Sequence, residues 1–127
     1  MADPMLAIQT WIYSTLDSAL SCEVYDSVPQ EAAKPYVVIE SYVAIEADSQ
    51  STRRDDVLVY LSVWSTVAGQ HEILTLMGQI DDALHDKRPT LSSGRAVIVR
   101  VRNKRTVRDI DGRTFQGQVV VRCTVEH

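Results

Sequence analysis

Residues that carry chemistry are scarce in this chain. It has two cysteines, Cys22 and Cys123, too few for a disulfide framework and too isolated for a zinc site. Cys123 lies in the apolar run Val119–Val125, where a buried, reduced structural thiol is expected. His71 and His85 stand 14 residues apart, which is not the spacing that places two imidazoles on one metal. The five glycines and four prolines are scattered, so no tract reads as a flexible linker or a disordered domain. No apolar run approaches the roughly 20 residues that span a bilayer, and the amino terminus lacks the basic start and apolar stretch of a signal peptide. The expectation is a soluble protein made in the cytoplasm with no membrane partner and no cofactor.

What is present is enough apolar residue for a core. At 127 residues, with 45% hydrophobic and 24% charged residues, the chain falls in the size range of one domain, roughly 100 to 150 residues, and a single domain over residues 1–127 is expected. Asp3-Pro4 offers an N-cap followed by a proline in the first turn, and Met5, Ile8, Trp11, Ile12, Leu16 and Leu20 recur on one helical face. After Cys22 the chain should run extended through Tyr25, turn between Pro29 and Lys34, and enter a strand at Tyr36 that continues to Ile45. Ala47 to Arg54 reads as a polar loop, and Asp56 to Trp64 as a strand with apolar residues on both faces. A second helix should begin at Ala68 or Gly69, carry Ile73, Leu74, Met77, Ile80 and Leu84 inward, and stop at Pro89. The last third reads as two strands, Ala96 to Arg102 and Phe115 to Val125, joined by the charged segment Asn103 to Thr114, in which Asp111-Gly112 is a turn signal.

This order predicts an α+β fold with a mixed, mainly antiparallel sheet and both helices packed on one face. Trp11, Met77 and Leu84 are expected to meet the sheet across one core.

Charge is separated along the chain. Residues 1–50 carry eight acids against Lys34 alone, a local charge of −7, whereas residues 87–113 carry nine basic residues against Asp109 and Asp111, a local charge of +7. Such separation favours self-complementary contacts or an anionic partner. The candidate contact residues are Arg95, Arg100, Arg102, Lys104, Arg105, Arg108 and Arg113 in the basic segment, with Asp48, Arg53 and Arg54 in the earlier loop. Three explanations stand for the basic segment: the solvated face of a half-buried strand, on which Arg100 and Arg102 lie opposite Val99 and Val101; a contact with a neighbouring subunit; or binding to nucleic acid. Phosphate neutralisation needs only basic residues, but stacking partners are few, Phe115 being the sole aromatic after Trp64.

Catalysis finds no support. The pairs Asp55-Asp56 and Asp81-Asp82 are adjacent in sequence, so their side chains diverge on a strand or helix and read as solvated charges. Ser51, Ser62, Ser65, Ser92 and Ser93 lack a strand-to-helix elbow.

Four segments in order, Val24-Tyr25-Asp26 through Pro29-Gln30, Pro35-Tyr36-Val37-Val38, Val63-Trp64-Ser65 ahead of a helix, and Asp109-Ile110-Asp111-Gly112-Arg113-Thr114 ahead of the final strand, resemble the tail-completion and tail-terminator proteins of long-tailed phages and gene transfer particles. The likeness spans nearly the whole chain and is weakest over residues 1–20 and the loop Ala47 to Arg54. It implies a non-enzymatic structural virion protein. Such a protein forms a hexameric ring on the head-proximal end of the tail tube, ends tube polymerisation and joins the head. Its partners would be further copies of itself, the tail tube protein and the head–tail connector or stopper, with DNA passing through the lumen without sequence-specific binding. The alternatives are a neck component, such as a stopper or connector-completion protein, and a small nonspecific nucleic-acid-binding protein.

Overall fold

The structure, a computed structural model, describes residues 4–27, 29, 35–48, 52–65, 71–91, 94–108 and 114–127, with the backbone alone at Arg108. The elements follow in the order α1 (Met5–Ala19), β1 (Glu23–Tyr25), β2 (Tyr36–Glu46), β3 (Arg54–Ser65), α2 (His71–Leu84), β4 (Arg95–Arg108) and β5 (Phe115–Glu126). Ala7, Ile8, Ile12 and Leu16 form the buried stripe of α1, and Ile73, Leu76, Met77, Ile80 and Leu84 that of α2. These are the i, i+3, i+4 positions that a 3.6-residue repeat brings to one side.

The strands form one five-stranded sheet in the order β1-β2-β3-β5-β4. Only β1 and β2 are parallel; the other three pairs are antiparallel. The connection through α2 therefore leaves β3, passes over the sheet and lands two positions away at β4, after which β5 fills the gap. On β5 the pattern alternates strictly, Phe115, Val119, Val121, Cys123 and Val125 being buried and the intervening side chains half-exposed. Val57, Val59, Leu61 and Val63 of β3 lie in the same core cluster, beneath both helices. Each large side chain buried there contributes on the order of 1.5–3 kcal/mol of transfer free energy. The mixed, mainly antiparallel sheet with two helices on one face is as the sequence predicts.

Four local expectations need correction. Asn103 to Arg108 is strand rather than connecting segment, because β5 offers a continuous partner as far as Phe115 opposite Arg108. The helix α2 ends at Leu84, well before Pro89; Asp86 takes a left-handed conformation with φ of 58°, and Lys87 then pairs with Val99 of β4. The strand β3 begins at Arg54, paired with Glu126. Trp11 is only partly buried and packs on the margin of the core, whereas Met77 and Leu84 lie inside it. Asp3, the turn residues Gln30 to Lys34, the expected helix start at Ala68 or Gly69 and the Asp111-Gly112 turn lie outside the described residues.

Candidate subunit interface

One end of the sheet is closed by an ionic clamp. Arg54 donates from Nε and Nη2 to Glu126 Oε1 at 2.9 and 2.7 Å, and Arg95 donates from Nε to Oε2 at 3.0 Å. Hydrogen bonds from Arg95 and then Arg54 hold the Glu126 carboxyl down at about 2. Beside the clamp, His127 Nε2 lies 2.6 Å from Asp55 Oδ2, both side chains being nearly buried. Asp55 is therefore no solvated charge. Asp48 accepts from the Arg54 amide at 3.0 Å, and the Arg53 carbonyl accepts from the His127 amide at 3.1 Å. Four of the ten candidate contact residues, Asp48, Arg53, Arg54 and Arg95, are thus gathered at this end and take part in bonds within the chain.

Arg100, Arg102, Lys104 and Arg105 lie along β4, the outermost strand on its side of the sheet. Arg100 stands opposite Arg122 of β5 rather than an acid; Arg122 is drawn toward Asp56 at 3.7 Å, which also accepts from Thr124 Oγ1 at 2.7 Å. The pairing shifts between Val101 and Asn103, so Arg102 occupies a bulge and does not share a regular face with Arg100. Lys104 turns to the helix layer, where its Nζ is 3.6 Å from Asp81 of α2. The near half of the β4 edge is covered: Lys87 exchanges backbone hydrogen bonds with Val99 at 3.3 and 2.8 Å, and the Val101 amide donates to His85 Nδ1 at 3.0 Å. Among the described residues no second strand pairs with the outer side of the far half, beyond Val101. A groove of about 400 Å³ runs there between α2 and β4, lined by Leu74, Met77, Gly78, Lys104, Arg105 and Thr106. The Arg108 side chain and Arg113 lie outside the described residues.

The opposite edge is acidic. Glu23 and Asp26 are exposed on and just after β1, and Glu40 and Glu46 on β2. Tyr42 Oη donates to Asp26 Oδ1 at 3.5 Å; burial, with Asp26 beside it, pushes the Tyr42 phenol up to about 12. A groove of about 380 Å³ opens next to this pair between α1 and β2, lined by Met5, Leu6, Gln9, Asp26 and Tyr42. Leu6 is 74% exposed at its rim, as Leu74 is 56% exposed beside the groove on the other edge.

The sheet face away from the helices is half-covered and mixed. Leu58, Tyr60, Trp64 and Val120 are partly exposed there, with Val43 and Ile45 of β2 more so. Among the described residues no cluster of three His, Cys, Asp or Glu converges on a metal position, and no helix is long and apolar enough to cross a membrane. Cys22 and Cys123 are free thiols, and burial pushes Cys123 up to about 12. Sequence reasoning marked the basic segment but read Lys104 and Arg105 as loop residues; it turned Leu74 inward, where the structure exposes it, and did not single out Leu6.

Comparison with known proteins places the chain. The family model described as Tail completion protein gp17 matches residues 14–126. A solved chain from the virion of a native gene transfer agent (GTA) particle superposes with a TM-score of 0.88 at 22% sequence identity, the match covering 100% of each chain; at that identity the likeness shows the fold. No curated protein sequence matches.

Proposed function

We propose, from the premise that this chain belongs to the tail completion protein gp17 family and is a structural component of a virion tail, that it caps the head-proximal end of the tail tube as a hexameric ring. The cap ends tube polymerisation and presents the surface that joins the head. The observation that carries the proposal is the family match over residues 14–126. The geometry supports it: opposite charge on the two edges of one sheet suits a head-to-tail contact, which closes into a ring when the rotation permits. The partners are further copies of the chain, the tail tube protein and the head–tail connector or stopper, with DNA crossing the lumen without sequence-specific contacts. Arg100, Arg102, Lys104 and Arg105 are the residues assigned to the subunit contact, with Arg108 and Arg113 continuing the same basic run in sequence.

Deletion of the gene tests the proposal. The expected particles are separate heads and tails, the tubes uncontrolled in length, with joining restored by the intact gene. His71→Ala should restore joining as well as wild type does, since His71 is an exposed helix residue. Normal-length tails joined to heads in the deletion strain refute the proposal.

A further inference from the structure

The two edges of the sheet match in more than charge. Reading across the ladders, Tyr25 of β1 is level with Val38, Ser62, Gln118 and finally Arg105 of β4. By the same registers Val24 is level with Thr106 and Glu23 with Val107. Strand direction alternates from β2 through β3 and β5 to β4, and β1 runs parallel to β2. The two edge strands are therefore antiparallel to each other. If one copy is rotated about an axis along the strands and set beside the next, the open half of β4 meets β1 in antiparallel sense without any shift along the strand.

The layers match as well. Lys104 reaches toward α2 and Asp26 lines the groove under α1, so both lie on the helix side of the sheet. Antiparallel pairing of Tyr25 with Arg105 brings Asp26 opposite Lys104. In the same layer the exposed Leu74 stands beside Lys104 and Arg105 on one edge, and the exposed Leu6 beside Asp26 on the other. Among the described residues each edge carries strand backbone with no outer partner strand, a charge of one sign and one exposed leucine. An open edge of this kind is a template for pairing with another chain.

Taking the ring proposed above as premise, we infer that the Asn103–Val107 edge of one copy adds antiparallel to Glu23–Tyr25 of the next, so that one sheet continues from copy to copy. Backbone hydrogen bonds join the strands, as in other cases of strand addition, and Lys104 and Arg105 against Asp26 and Glu23 set direction and register. Leu74 of one copy packs on the groove at Leu6 of its neighbour. The bulge at Arg102 and the cover over Val99 and Val101 confine the pairing to the far half of β4, which prevents open-ended stacking along its whole length.

The test uses two charge-reversed variants expressed in the deletion strain. One is Lys104→Glu with Arg105→Glu; the other is Glu23→Lys with Asp26→Lys. Alone, each places like charge on both sides of every contact, and each should lose head–tail joining while circular dichroism reports a folded protein. Expressed together they can alternate around the ring with opposite charge at every contact, and joining should return. Independently, Tyr25→Cys with Arg105→Cys in a Cys22→Ser background should give a ladder of disulfide-linked multimers from oxidised, joined particles. Failure of the folded pair to restore joining, or joined particles without a ladder, overturns the edge contact and leaves the capping function standing. If the intact gene itself fails to restore joining in the deletion strain, it is the capping function that falls.

Discussion

Gly117 and Gly78 should respond oppositely to the same substitution. On β5, a Cβ at Gly117 would lie 2.7 Å from Met77 Sδ and 2.8 Å from Ile73 Cγ2, so α2 sits closer to the sheet there than any other residue allows. Alanine brings a gain of about 0.5–1 kcal/mol from reduced backbone freedom and about 0.8 kcal/mol from a buried methyl. Against this stands overpacking, typically about 1–3 kcal/mol. The overpacking term should fall at its upper end, because the Met77 side chain can turn aside but the β-branched Ile73 is stiff at χ1. The expected net loss for Gly117→Ala is about 1 kcal/mol, a fall in Tm of roughly 3–5 °C for a domain of this size. At Gly78 on α2 nothing lies within 4 Å of the added carbon, so Gly78→Ala should stabilise by about 0.5–1 kcal/mol. Urea unfolding at constant m-value measures both. Met77→Ala combined with Gly117→Ala should show a favourable coupling beyond about 0.5 kcal/mol. A Gly117→Ala protein as stable as wild type would refute the close-approach argument.

Gly94→Ala should cost more than Gly117→Ala, since φ is +71° and the added carbon would meet the Glu126 carbonyl oxygen at 2.5 Å; thermal melting of the two variants side by side checks the order. Glu126→Gln should weaken the fold at neutral pH, and the sign of its pH dependence follows from the clamp. The folded carboxyl titrates at about 2 against an ordinary value of 4.5, so its contribution is present above the ordinary value and lost as pH falls toward the folded one. The gap between wild type and variant in melting temperature should therefore shrink below pH 4.5 and close near pH 2. Leu84→Ala, at a fully buried position, should destabilise by about 2–5 kcal/mol, and Trp11→Ala by less than Leu84→Ala, because Trp11 packs on the margin of the core; chemical denaturation ranks them.

The element order, the centres of the buried stripes at Ile8, Ile12, Leu16, Ile73, Met77, Ile80 and Leu84, and the α+β class were legible in the sequence because each rests on local periodicity. So was the separation of charge between its first and last thirds. The margins of the stripes were not, with Trp11 half out, Leu74 exposed and Leu76 buried. Where β4 ended was not legible: Asn103 to Arg108 is charged and looks like a loop, and only pairing along β5 makes it a strand. The end of α2 was misplaced for a similar reason, since the Lys87 backbone is taken up by Val99 before Pro89 can act. The sheet order decided the rest. Inserting β5 between β3 and β4 puts the basic strand at one edge and β1 with Glu23 and Asp26 at the other. It also spends Arg54 and Arg95 on Glu126 at the sheet end, leaves Arg100 facing Arg122, and strands Leu6 and Leu74 in the open at opposite edges. None of these juxtapositions is local. They depend on residues far apart in the chain arriving at one level of one sheet, which is a property of how the strands pair and not of any stretch of sequence alone.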